Sequence, residues 1–162
     1  MKVVVGIDPG TAACGYGIVH ESEGRLRALG HGSWTTPTRE RAELRLKVVF
    51  DGVGALIEEY KPAAVVLEES YVGADARIAL SVGQARGAVL VACAVGGVEC
   101  AEYPPATVKK AVCGYGRAEK GQVERMVRAI LGTRDAMSNH AADALAVAIC
   151  HALASPLLRV TA

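Results

Sequence analysis

No Cys-x-x-Cys spacing occurs anywhere in the 162 residues. The five cysteines (Cys14, Cys93, Cys100, Cys113 and Cys150) are scattered and odd in number. That excludes a disulfide framework and a thiolate zinc site, and points to reduced, packed thiols. No apolar run is expected to reach transmembrane length, and the N-terminus lacks the separate basic and apolar regions of a signal peptide. A cytoplasmic protein with no membrane partner is therefore expected. Repeats, low-complexity tracts and linker-like stretches are also missing. The chain reads as one domain over 1–162, long enough to bury a core and too short for two. Net charge is scarce as well: 18 Lys and Arg stand against 17 Asp and Glu, or +1 at pH 7. Such a balance does not mark a nucleic-acid binder, so any basic surface must be local.

What is present begins with Val3-Val4-Val5-Gly6-Ile7-Asp8-Pro9-Gly10. The β-branched run suits a central strand covered on both faces. Pro9-Gly10 ends it, since Pro cannot donate to a ladder and Gly accepts a positive φ. Asp8 is left at the strand's C-terminal lip, where an acid has no packing role. Gly6 and Gly10 are expected to let an anion or a phosphate approach the backbone closely. Asp8 either begins an Asp-Pro-Gly turn or belongs to a site, and other acids converging on it would decide between the two.

Further along, Gly15–His20 and Arg25–Trp34 read as strands joined by a polar turn at 21–24. A helix opens at Pro37 and Thr38, with Leu44, Val48, Val49, Val53, Leu56 and Ile57 at three- and four-residue steps. Ala63–Leu67 is a second buried-type strand, and it delivers Glu68 and Glu69 at its end. Ala76 to about Gly96 reads as a long helix rich in small residues, either central or at a subunit interface. A strand at Val98–Tyr103, a short helix near Ala106–Val112 and a helix over Glu119–Leu131 follow. Last, Ser138 N-caps a helix with the stripe Ala142, Leu145, Ala146, Ile149 and Leu153. This is an α/β pattern.

Asp8, Glu68, His140 and Asp143 stand where packing does not explain them. His140 and Asp143 are three residues apart and share one helical face. Taken alone, Asp143 could simply complement the helix dipole. Together the four groups converge only if the last helix packs across the strand ends. Three carboxylates a few ångströms apart cannot all stay ionised without a cation. Oxygen donors with one nitrogen and no thiol point to Mg²⁺ or Mn²⁺, with two ions per site as in phosphodiester hydrolysis, and the imidazole tilts the choice toward Mn²⁺. Strand alternation sends Glu69 to the opposite face.

Charge is local, as required. From Pro104 to Arg128, six basic residues (Lys109, Lys110, Arg117, Lys120, Arg125 and Arg128) face two acids, whereas Asp51–Asp75 carries six acids against Lys61. A basic segment beside an acidic one suits a nuclease, although charge runs are commonly solvated helix faces. Arg39, Arg41, Arg45 and Lys47 either extend a phosphate track or decorate the first helix.

These residues resemble the RuvC-type Holliday-junction resolvases. The likeness lies in Gly6-Ile7-Asp8-Pro9-Gly10 with Gly15-Tyr16-Gly17, Leu67-Glu68 with Tyr71, and Gly83-Gln84-Ala85-Arg86-Gly87. It continues through Val108-Lys109 with Gly114, Gly116 and Ala118-Glu119-Lys120, and ends in Ala141-Ala142-Asp143-Ala144-Leu145-Ala146. The resemblance runs from about residue 2 to 154. It implies an RNase H-like fold, a five-stranded mixed sheet flanked by helices on both sides, working as a homodimer beside a branch-migration helicase. It implies that Asp8, Glu68 and Asp143 are catalytic metal ligands, joined by His140 where many members carry Asp. It also implies that Lys109 and Lys120 assist catalysis and touch DNA together with Lys110 and Arg117, and that Tyr71 stacks near the junction centre. The implied reaction is paired hydrolysis of opposed strands in a four-way DNA junction, leaving ligatable ends. Alternatives are another RNase H-like nuclease, acting on RNA·DNA hybrids or ribosomal RNA, and a non-catalytic junction-binding protein. A sugar kinase or actin-like ATPase shares the Asp-x-Gly-Thr turn but needs a second domain.

Overall fold

The structure is a computed structural model that describes residues 2–69 and 75–154. Three strands come first: β1 (Lys2–Asp8), β2 (Ala13–Ser22) and β3 (Arg25–Thr35). Helix α1 (Ala42–Tyr60) leads to β4 (Ala64–Glu68), α2 (Ala76–Gly96) and β5 (Glu99–Tyr103). Helices α3 (Pro105–Cys113), α4 (Lys120–Leu131) and α5 (Asn139–Leu153) complete the chain. The strands form one mixed sheet in the order β3-β2-β1-β4-β5. β1 runs antiparallel to β2 and parallel to β4, and β4 runs parallel to β5.

Alternation along β1 divides the core. Val5 and Ile7 point to one face, where they pack with Val49 and Val53 of α1 and Val89 and Cys93 of α2. Val4 points to the other, where Val66, Leu145 and Ile149 join residues of α3 and α4. Two helices therefore cover one face and three the opposite one, as expected. Gly6 and Asp8 share the Val4 face by the two-residue period of a strand.

The glycines of β1 and β2 explain how α5 lies on the sheet. A Cβ at Gly6 would come 1.9 Å from the Ala144 carbonyl oxygen, and one at Gly15 would come 2.2 Å from that of His140. A Cβ at Gly17 would meet the Leu145 side chain at 2.6 Å. This corrects the expectation for Gly6: the backbone it admits is that of α5, and no ligand phosphate is involved. Gly10 faces its own turn, 2.3 Å from the Ala13 carbonyl oxygen.

Three further expectations change. α1 starts at Ala42, because the backbone after Pro37 closes a turn through Glu40 N–H to the Pro37 carbonyl before the first helical bonds form on the Arg41 carbonyl. Leu44, Val48 and Leu153 are exposed, so these members of the apolar stripes lie outside the core. Finally, α2 is long and apolar enough to cross a membrane by length and composition, with a mean hydropathy of 1.7, contrary to the sequence expectation. Ala85, Val89, Ala92 and Cys93 sit on one side of α2 and bury it against the sheet and α1.

Candidate active site

The parallel register pairs Ile7 with Leu67. One step on, Asp8 and Glu68 end adjacent strands side by side, both on the face covered by α5. Ser138 caps α5 by accepting a hydrogen bond from Ala141 N–H. The first turns of α5 thereby present His140 and Asp143 over the two strand ends. The result is a cleft of about 230 Å³ lined by Asp8, Glu68, Lys109, Lys120 and Asp143 among Ile7, Val108, Val123 and Ala146. α3 supplies Lys109 and the start of α4 supplies Lys120.

Two of the acids hold basic partners. Asp8 Oδ2 lies 2.7 Å from His140 Nδ1, and Lys120 Nζ donates to Asp143 Oδ2 at 2.8 Å. Burial pushes the Asp8 carboxyl above its ordinary pKa; the His140 hydrogen bond opposes this, and the charge of Asp143 adds to it. Glu68 is raised too, first by burial and then by the charges of Asp143 and Asp8, against the pull of Lys109 and Lys120. The Asp143 hydrogen bond raises Lys120, keeping it an ammonium. Three carboxylates thus share one cleft with two lysines.

The donor chemistry fits a hard divalent cation, with three carboxylates and one imidazole around a single cleft and no thiol among them. Burial raises Cys14 to about 12 and Cys150 to about 11, so both remain protonated thiols. As the side chains stand, no three His, Cys, Asp or Glu groups among the described residues are close enough to enclose an ion.

A family model for the crossover junction endodeoxyribonuclease RuvC matches residues 4–151. The chain belongs to the RuvC family. It is 47% identical over 161 residues to the RuvC of Rubrobacter xylanophilus, covering 99% of this chain and 90% of that relative. The RuvC structure from Thermus thermophilus superposes with a TM-score of 0.86 at 40% identity, covering 93% of each chain. The same organism's RuvC in complex with Holliday junction substrate gives 0.90 at 37% identity, covering 99% of this chain and 96% of that one. The five-stranded RNase H-like architecture is thus the RuvC fold, and the family's activity is endonucleolytic cleavage of DNA at crossover junctions.

Within this RuvC fold the structure brings together Asp8, Glu68, His140, Asp143, Lys109 and Lys120. Lys110 is exposed and lines a separate hollow with Glu69, Glu102 and Tyr103. Arg117 is exposed on the connector before α4. Tyr71 lies outside the described residues. One side chain was not assigned a position by sequence reasoning: Arg86 of α2 donates to the Glu68 carbonyl oxygen at 2.8 Å and pairs with Glu102 at 2.6 Å. Its signal was the single charge in the apolar, small-residue stretch 78–96 of α2.

Proposed function

We propose that this chain resolves four-way DNA junctions, each copy hydrolysing one phosphodiester with Asp8, Glu68, Asp143 and His140 as ligands for two divalent ions, Mg²⁺ or Mn²⁺. The observation that carries the reading is the convergence of three carboxylates, from β1, β4 and α5, on one cleft beside Lys109 and Lys120. When bound, such ions stabilise charge on the phosphate and lower the pKa of water.

The chain's own residues set up the rest. Asp8 and Glu68 are fixed by the sheet register, so their spacing does not depend on a loop. His140 holds Asp8 in one orientation through Nδ1, leaving Nε2 directed away from that bond. Lys120 and Lys109 place positive charge where the scissile phosphate enters, and Lys120 releases Asp143 to take up a phosphate oxygen. Lys110 and Arg117 extend the DNA contact beyond the cleft, and Tyr71 stacks on bases of the junction.

A four-way junction has approximate two-fold symmetry, so two cuts in opposed strands call for two sites related by a two-fold axis. The outer face of α2 supports a homodimer: Leu80, Val91 and Val95 are all more than half exposed there. An apolar face of this kind is what a partner copy would cover. A cytoplasmic setting beside a branch-migration helicase completes the proposal.

The testing experiment compares nicking of a synthetic mobile four-way junction, an RNA·DNA hybrid and a linear duplex, each with and without Mg²⁺ or Mn²⁺. Symmetric, metal-dependent nicks in the junction alone are expected. Preferential cutting of the hybrid would replace this reading by the hybrid nuclease.

A further inference from the structure

Glu68 ends its strand, and a neighbour on the far side of the sheet holds its backbone. That neighbour is Arg86, 15% exposed in its side chain, which reaches from α2 to the strand end. One guanidinium nitrogen donates to the Glu68 carbonyl oxygen at 2.8 Å, and another lies 2.6 Å from Glu102 Oε2 on β5. In the β4–β5 register Glu102 pairs with Leu67 and Tyr103 with Glu68, and Glu69 N–H donates to the Tyr103 carbonyl at 2.8 Å. Arg86 therefore braces the last rung of the ladder from the face opposite the cleft. A planar, rigid fork makes both bonds at once, which the single ammonium of a lysine cannot reproduce.

We propose that Arg86 is a positioning residue for cleavage: through the Glu68 backbone, and with Glu102 as its anchor, it fixes the angle at which the Glu68 carboxylate faces Asp8 and Asp143. It acts from the face of the sheet opposite the cleft and is not among the residues that line it. The arrangement rests on the proposed role of Glu68. A carboxylate displaced by about 1 Å costs on the order of a hundredfold in rate when the geometry of attack depends on it. Because Arg86 lies outside the cleft lining, junction binding is left alone.

Arg86→Lys tests this. The expected result is a fall in kcat on a four-way junction of about 10–100-fold, with KM changed less than twofold and a raised Mn²⁺ concentration for half-maximal rate. Amide hydrogen exchange at Glu69 should accelerate on the order of tenfold, while Gly6 and Ile7 on β1 keep their protection. Wild-type kcat in Arg86→Lys, or a KM that rises as much as kcat falls, overturns the proposal. Should Arg86→Lys fail to fold, Glu102→Gln decides. It keeps an acceptor but loses the charge, and is expected to lower kcat by a smaller factor at constant KM; unchanged kcat overturns the proposal. If the wild-type chain cuts no junction, the assigned function fails, and exchange at Glu69 still decides whether Arg86 braces the strand end.

Discussion

Asp8 and His140 are 132 positions apart, and their side chains meet at 2.7 Å. The contact exists because Gly15 lets the first turn of α5 rest against β2, with His140 directly over the position a β-carbon would fill. A strand, a glycine and a helix start thus combine to give one oriented acid. The imidazole nitrogen bonded to Asp8 is fixed, and the orientation of the ring follows from it.

His140 is expected to affect metal use before it affects folding. His140→Ala should reduce Mn²⁺ affinity and cleavage by about 10–100-fold, the usual scale for a lost ligand or for a group orienting one. His140→Asp should restore cleavage while narrowing the preference for Mn²⁺ over Mg²⁺ at equal, subsaturating concentrations. Titrating each ion against nicking rate checks both.

Burial of two of the acids makes a pH prediction for the metal-free protein. Burial raises both Asp8 and Glu68 above the ordinary carboxylate range. Between ordinary and raised values the folded chain holds protons that the unfolded chain has released, so stability falls as pH rises through that window. Thermal melts in chelator from pH 4 upward should show the decline, and saturating Mn²⁺ should reverse it. Glu68→Gln should flatten the curve and raise Tm at neutral pH, at roughly 2–4 °C per kcal/mol for a chain of this size.

Lys120 separates activity from stability. Its ion pair with Asp143 is 61% and 35% exposed, and such pairs contribute about 0–1 kcal/mol. Lys120→Ala should therefore leave Tm within a few degrees while lowering cleavage on the order of a hundredfold, the scale for one lost stabilising group at a developing charge. Lys109→Ala should move the same way. A Tm fall large enough to account for the lost activity would reassign both lysines to structure.

Gly6 tests the packing that builds the site. With Ala144 carbonyl oxygen 1.9 Å from the position of an added Cβ, Gly6→Ala must push α5 off β1. Overpacking of this kind costs about 1–3 kcal/mol, and the shift carries His140 and Asp143 with it. Lower Tm and a larger proportional loss of cleavage are expected. A Gly6→Ala protein with full activity would show that α5 need not sit so close.

Most of this architecture was legible because it depends on local patterns. β-branched runs ended by Pro-Gly or by acids mark β1 and β4, and Ser138 marks the start of α5 through its own hydrogen-bonding side chain. Asp8, Glu68 and Asp143 were legible as acids without a packing role. What could not be read needs partners distant in sequence. Gly6 looked like room for a ligand, and only the crossing helix shows whose backbone fills it. Arg86 looked like part of a motif until Glu68 and Glu102 were placed beside it. The start of α1 was misplaced because Pro37 begins a turn as readily as a helix.

Asp143→Asn tests the central claim most directly, assayed for binding and for metal-dependent nicking of a synthetic four-way junction. The claim is that Asp143, together with Asp8 and Glu68, forms a divalent-ion site that does the cutting. Junction affinity within about twofold of wild type, with nicking reduced at least on the order of a thousandfold, is the expected result. An Asp143→Asn protein that still cuts the junction with Mg²⁺ or Mn²⁺ would contradict it.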